Sequence, residues 1–277
     1  MTAFINHFTF EFFTALRNKT LLLMNYMLPL GFHIMMGLMM ASTNPFFLDT
    51  MIPAMVMFAI LSGMLLGLPH PMVEAREAGI FRSYKINGVP AFSILAIPAI
   101  SGLIHAFLVS IIIVVTGALL FEAPVPENWL MFFVVFLMMT LTSAAFGLLI
   151  GVISTNSRVT VLWTQLLYIP SMMISGMFAP SALFPEALIR AGRLLPATYA
   201  MDAFNGLSMG YDVPYNPLWA LLILLAGGLI SFGLALYLFR WDGKNNEGPS
   251  LLLALLVMVP FILGAILLPL PEPMVLI

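Results

Sequence analysis

Long apolar runs separated by short polar breaks make up most of the chain, and their length predicts helices that cross a bilayer. The runs lie near 21–41, 51–68, 92–121, 129–153, 159–178 and 217–239, with a last one at 250–268. Crossing a hydrocarbon core of about 30 Å takes ~20 apolar residues in helical form. Solidly apolar runs exclude a membrane barrel, whose strands alternate apolar and polar positions. Pro29 interrupts the first run. Ahead of it, Phe4, Phe8, Phe12 and Ala15 fall at helical spacing, with His7, Glu11 and Asn18 elsewhere around the wheel. That pattern predicts an amphipathic helix over 3–18 at the membrane interface, ending in Arg17 and Lys19. Basic residues follow its apolar part and no small-residue cleavage site comes after, so the segment is expected to be retained.

The fold class expected is therefore an all-α polytopic membrane protein with six core transmembrane helices, a seventh C-terminal one and an interfacial N-terminal helix. Two domains of unequal size divide it: 1–240 as the core and 241–277 as an additional membrane segment. The run 250–268 either crosses, leaving "PLPEPMVLI" outside, or lies along the membrane. The longest stretch that cannot span is 179–216, so no separate soluble domain fits. Composition agrees, with 62% hydrophobic and 8% charged residues, against roughly 45–50% apolar in soluble proteins. The chain has no Cys, which removes disulfides, thiolate chemistry and Cys-based metal sites.

Orientation follows from the basic residues, which favour cytoplasmic loops. A cytoplasmic N-terminus places Arg17, Lys19, Arg76, Arg82, Lys85, Arg158, Arg240 and Lys244 inside. Only Arg190 and Arg193 then fall outside, alongside Asp49, Glu122, Glu127, Glu186, Asp202 and Asp212.

Missing chemistry narrows the function. The chain has no G-x-x-x-x-G-K-[ST] loop to cradle a nucleotide, no H-E-x-x-H and no G-x-S-x-G elbow. No Asp, Glu, Lys or Arg stands near the middle of a run, where carriers driven by protons or sodium keep their relays. Energy for uphill transport would thus enter from outside the membrane plane. His33 and His105 are the titratable exceptions inside the runs. Each reads either as a substrate or proton site, or as a neutral ring bonded to one neighbouring helix. Gly63 with Gly67, and Gly147 with Gly151, have the small-x-x-x-small spacing of close helix contacts, most often within one chain.

Two polar breaks carry the remaining information. In "PHPMVEAREAGIFRSYKINGVP", residues 69–90, Pro69 and Pro71 are expected to end the second run. Glu74, Arg76, Glu77, Arg82 and Lys85 then crowd together, with Val73, Ile80 and Tyr84 as an apolar seam and Gly88-Val89-Pro90 as a stop. A lipid-binding patch would be nearly all basic, so mixed signs point to a protein surface; a solvated loop is the other reading. In 181–195 the spacing predicts a short amphipathic helix on or dipping into the outer leaflet, with Pro185 in its first turn and Pro196 as its stop. Glu186 and Arg190 stand i, i+4, in the favourable order for an ion pair. Arg190 and Arg193 are expected to face headgroups or the exit of a pathway.

Over about 1–240 these parts resemble the ABC type-2 permeases, the membrane subunits of one class of ATP-binding-cassette exporters. Glu74, Arg76, Glu77, Gly79 and Pro90 match the family's first cytoplasmic segment, with Ile80 where Thr is common. Gly176, Pro185, Leu195, Pro196 and Tyr199 fit its external segment, from which Ala197 and Asn205 depart. The resemblance implies that 72–88, with Glu74, Arg76, Glu77, Gly79, Arg82 and Lys85, docks in a cleft of a separate ATPase. It implies that 3–18 is a connecting helix and that 180–199, with Pro185, Arg190, Arg193, Pro196 and Tyr199, forms re-entrant external helices that gate exit. Two permease chains, as a homo- or heterodimer, and two ATPase copies would work together in a bacterial or archaeal plasma membrane. ATP and Mg would sit on the ATPase; this chain would hold no cofactor, bind no nucleic acid and be no enzyme. Its expected cargo is a hydrophobic or amphiphilic compound of the drug, lipid or glycan class. A non-transporting scaffold or sensor that docks a cytoplasmic protein is the alternative function.

Overall fold

The computed structural model describes residues 2–40, 45–241 and 251–271. Lys244 with most of the break before the last run, and the final residues 272–277, lie outside the described residues. Every regular element described is helical, as a chain buried in hydrocarbon requires, because a helix satisfies its own backbone polar groups. Helix α1 covers Thr2–Arg17 and is followed by α2, Lys19–Met40. Then come α3, Phe47–Glu77; α4, Ile80–Ile86; α5, Ala91–Phe121; and α6, Trp129–Ile153. Beyond these lie α7, Ser157–Ile174; α8, Glu186–Gly192; α9, Pro196–Ala203; α10, Leu218–Tyr237; and α11, Leu252–Leu267.

Asparagine starts three of them. Asn18 Oδ1 accepts from the N–H groups of Thr20 and Leu21 at 2.9 and 3.2 Å. Asn128 accepts from Met131 at 3.1 Å and Asn156 from Val159 at 3.0 Å, so α2, α6 and α7 each begin on a side-chain cap.

Among the described residues, five helices, α2, α3, α5, α6 and α10, are long and apolar enough to cross a membrane. The expected fifth span over 159–178 is shorter and more polar than anticipated. It becomes α7, which ends at Ile174 and carries Arg158, Thr160, Thr164 and Gln165. A second correction concerns α3. Pro69 and Pro71 do not end it; the helix continues to Glu77 as a single 31-residue element. The reason is a wide π turn at Ser62–Gly67, which already breaks the regular ladder where Pro69 lacks an N–H.

Helix α3 is the centre of the bundle, with every residue from Met51 to Leu65 buried. Helix α6 lies against it at backbone distance: a Cβ on Gly147 would run into the Met64 carbonyl, and one on Gly151 would come within 3.3 Å of the Pro69 carbonyl. The Gly63 and Gly67 pair receives Asn25 instead, whose Oδ1 would lie 3.0 and 3.3 Å from their added Cβ atoms. Both glycine pairs are thus used inside one chain, on opposite flanks of α3.

The C-terminal run packs antiparallel to α10. Phe261 lies over Gly227 and Gly264 lies beside Ile223, one turn earlier in α10. Phe239 just past α10 touches Phe81 of α4, ring centroids 5.4 Å apart. Pro269, just past α11, instead meets Arg193 between α8 and α9. This run is a 16-residue apolar helix, shorter than the five candidate spans, packed along α10 with its C-terminal end at the α8 side of the bundle.

Candidate functional site

At the α4 end, α3 and α4 meet at Gly79, whose φ of 74° lies in the left-handed region. With nothing within 4 Å of an added Cβ, the glycine answers a backbone need, not a tight contact. The turn divides the charged segment into two short arms. Glu74, Glu77, Arg82 and Lys85 are exposed on them. Glu74 pairs with His70 one turn back at 3.1 Å, and Lys85 lies 6.0 Å over the Trp241 ring.

Arg76 is placed differently from its expected neighbours. It is only 8% exposed, and its guanidinium turns inward onto the last turn of α6. Nη1 donates to the carbonyls of Gly151 and Val152 at 3.2 and 3.0 Å, and Nη2 donates to that of Ser154. These are carbonyls a helix C-terminus leaves unpaired, at the negative end of its dipole. The apolar seam also shifts. Val73 and Phe81 are buried at 0% and 5% exposure, while Ile80 at 44% and Ile86 at 80% face outward among the charges. The exposed side chains at this end therefore include Ile80 and Ile86 as well as Glu77, Arg82 and Lys85, on a segment clamped to α6 by Arg76.

Helix α1 runs alongside. Burial pushes the Glu11 carboxyl above its usual range; burial also raises the Tyr84 hydroxyl of α4, and the Glu11 charge adds to it. Between α2, α3 and α7 lies a cavity of about 340 Å³ lined by Thr20, His70, Glu74, Thr164 and Gln165 among others. The polar face of α7, which keeps it from qualifying as an apolar span, thus looks into a cavity rather than at lipid.

At the α8 end the residues expected in an exit gate fall into two groups. Glu186 and Arg190 form the anticipated pair, with Arg190 Nε and Nη2 donating to Oε1 at 2.9 and 2.6 Å, both side chains exposed. Pro185 caps α8 from outside its first turn, and Pro196 opens α9 instead of only stopping α8. Arg193 does not face headgroups. It is 2% exposed, 3.1 Å from Asp202, stacked 4.6 Å over Tyr215, and donates to the Pro269 carbonyl at 3.3 Å. Tyr215 donates to the same Asp202 oxygen at 2.8 Å. Burial pushes the Asp202 carboxyl up, against the pull of Arg193 and of the Tyr215 hydroxyl. Tyr199 is buried and donates to the Phe261 carbonyl at 3.2 Å. Arg193 and Tyr199 therefore join the α8–α9 segment to α11. Sequence alone missed Asp202 and Tyr215 as partners: residues nine and twenty-two positions from Arg193 are joined by packing, not by helical spacing.

Each intramembrane histidine is held by a hydroxyl of a neighbouring helix, and His105 also meets the backbone of Phe12. His33 Nε2 lies 2.9 Å from Thr116 Oγ1, and His105 Nδ1 lies 2.6 Å from the Tyr26 hydroxyl. No cluster of three or more metal-ligating residues occurs among the described residues.

The described residues form a multi-helical bundle with a charged two-arm turn at one end. In comparison with family models, the model for the membrane domain of ABC-2 type transporters matches residues 3–209. The chain belongs to that family. It is a multi-pass permease subunit of an ABC transporter, and the family implies pairing with an ABC ATPase. No curated protein and no solved structure matches the chain.

Proposed function

We propose that this chain is the permease of an ABC exporter that moves a hydrophobic or amphiphilic compound outward, with ATP and Mg bound by a partner ATPase. The observation that carries the reading is the turn at Gly79. Exposed Ile80, Ile86, Glu77, Arg82 and Lys85 combine apolar side chains with charges of both signs, the make-up of a protein contact. Arg76 behind them ties that contact to α6, so displacement of the turn moves a membrane-crossing helix. The α4 end is then cytoplasmic, which also places Arg17, Lys19, Arg158 and Arg240 there.

The polar-walled cavity between α2, α3 and α7 supports a path for cargo. Helix α7 is too polar to be stable against lipid on its Thr164 and Gln165 side. A second permease chain facing it would complete the enclosure, and the α8–α9 segment would close the outer end. In inverted membrane vesicles containing the chain and its ATPase, ATP is expected to drive accumulation of a hydrophobic fluorescent dye. Tight ATPase binding with no ATP-dependent movement of any amphiphile would favour the scaffold instead.

A further inference from the structure

A second cavity, of about 300 Å³, lies between α1, α3, α4 and α5 and adjoins the one just described, with which it shares Asn18, Leu21, Gly67 and Pro71. Its walls are mostly apolar, with Leu68, Met72, Phe81 and Pro98 prominent. Its floor is polar. Ser101 is 3% exposed and His105 1%; Ser101 Oγ carries no hydrogen bond, while the His105 ring also meets the backbone of Phe12, without a hydrogen bond of good geometry at Nε2. The His105 ring is fixed in place by Tyr26 on Nδ1 and by stacking on Phe12, centroids 4.5 Å apart. A buried polar atom without a partner is costly, and Ser101 Oγ on the wall of a roomy cavity, with the His105 ring beside it, points to a ligand.

Charge selects the ligand class. Glu11 is the one carboxylate among the lining residues, and no Lys or Arg lines the cavity. Size selects further: about 300 Å³ is the lower end of ligand sites, which suits one alkyl chain and not two. We propose that this cavity binds a single-chain amphiphilic amine, its ammonium at Glu11 and a hydroxyl or amine hydrogen bond at Ser101 or His105. An occupant would hold α1 against α4 and so bear on the docking turn.

The test uses the full chain alone in phosphatidylcholine nanodiscs, without ATPase, so it does not depend on transport. A dodecylamine bearing a diazirine on its chain is photolysed and the labelled peptides are mapped. Label is expected in 10–18 and 94–105, competed by dodecylamine roughly tenfold better than by dodecanoate, the ratio that about 1.4 kcal/mol of ammonium–carboxylate attraction gives. Glu11→Gln is expected to erase that preference while labelling persists. Ser101→Leu is expected to suppress labelling at an unchanged melting temperature; if it does not fold, Glu11→Gln still decides. Label spread over the lipid-facing helices, or equal competition by dodecanoate in the wild-type chain, overturns the proposal.

Discussion

Arg76 leaves the last turn of α3 and donates from its guanidinium to the carbonyl of Ser154, the residue just past the end of α6. Together with its bonds to Gly151 and Val152, this ties the turn at Gly79 to the end of α6. Arg76→Ala would strand buried carbonyls at the cost of about 1–3 kcal/mol. The expected result is a lower melting temperature in detergent, with ATP hydrolysis by the complex no longer coupled to transport. Arg76→Lys would keep the charge but not the fork, and should recover only part of both.

Gly79 should respond to backbone strain alone. An added Cβ meets nothing, so Gly79→Ala carries only the left-handed penalty of about 1–2 kcal/mol. Thermal unfolding should shift accordingly, and Gly79→Asn should cost less because Asn tolerates that conformation. Equal losses for Ala and Asn would mean that the turn's conformation is not what matters.

The glycines on α3's flanks separate by what lies opposite. Gly147→Ala would push a Cβ into the Met64 backbone carbonyl, which cannot rotate away. Severe loss of folded protein is expected on size-exclusion chromatography. Gly31→Ala, with open space around it, should be tolerated or gain up to about 1 kcal/mol of helix propensity.

At the α8 end, Asp202→Ala would leave Arg193 buried without its counter-charge, an error that typically costs about 3–5 kcal/mol. The double variant Arg193→Met with Asp202→Leu should be less damaging than Asp202→Ala alone. Thermal melts of the three proteins check this. Additive losses would show that the two side chains do not act as a pair.

Much of the helical order was legible in sequence because long apolar runs have one structural solution in a bilayer. The Glu186–Arg190 pair was legible for the same kind of reason, a local i, i+4 rule. What escaped depends on contacts distant in sequence. Nothing around Arg76 announces that it faces the C-terminus of α6, 75 to 78 residues on. Nothing near Pro69 announces that a π turn just before it lets the helix continue. The inward turn of Phe81 in place of Ile80 is a difference of one position on a seven-residue helix, too short to fix a face by periodicity. The buried Arg193 was misread because a cluster of basic residues at a short helix usually marks a solvated face, and its partners Asp202 and Tyr215 arrive from other turns of the chain.

The central claim is that the exposed turn around Gly79 docks an ATPase. Its most direct test is affinity purification of the tagged chain, co-expressed with its neighbouring genes, comparing wild type with Glu77→Lys and Ile86→Asp. Both substitutions fall on exposed positions, so the melting temperature should hold. A stoichiometric ATPase with the wild type, lost from both variants, is the predicted result. Retention of the full ATPase complement by both variants would contradict the account.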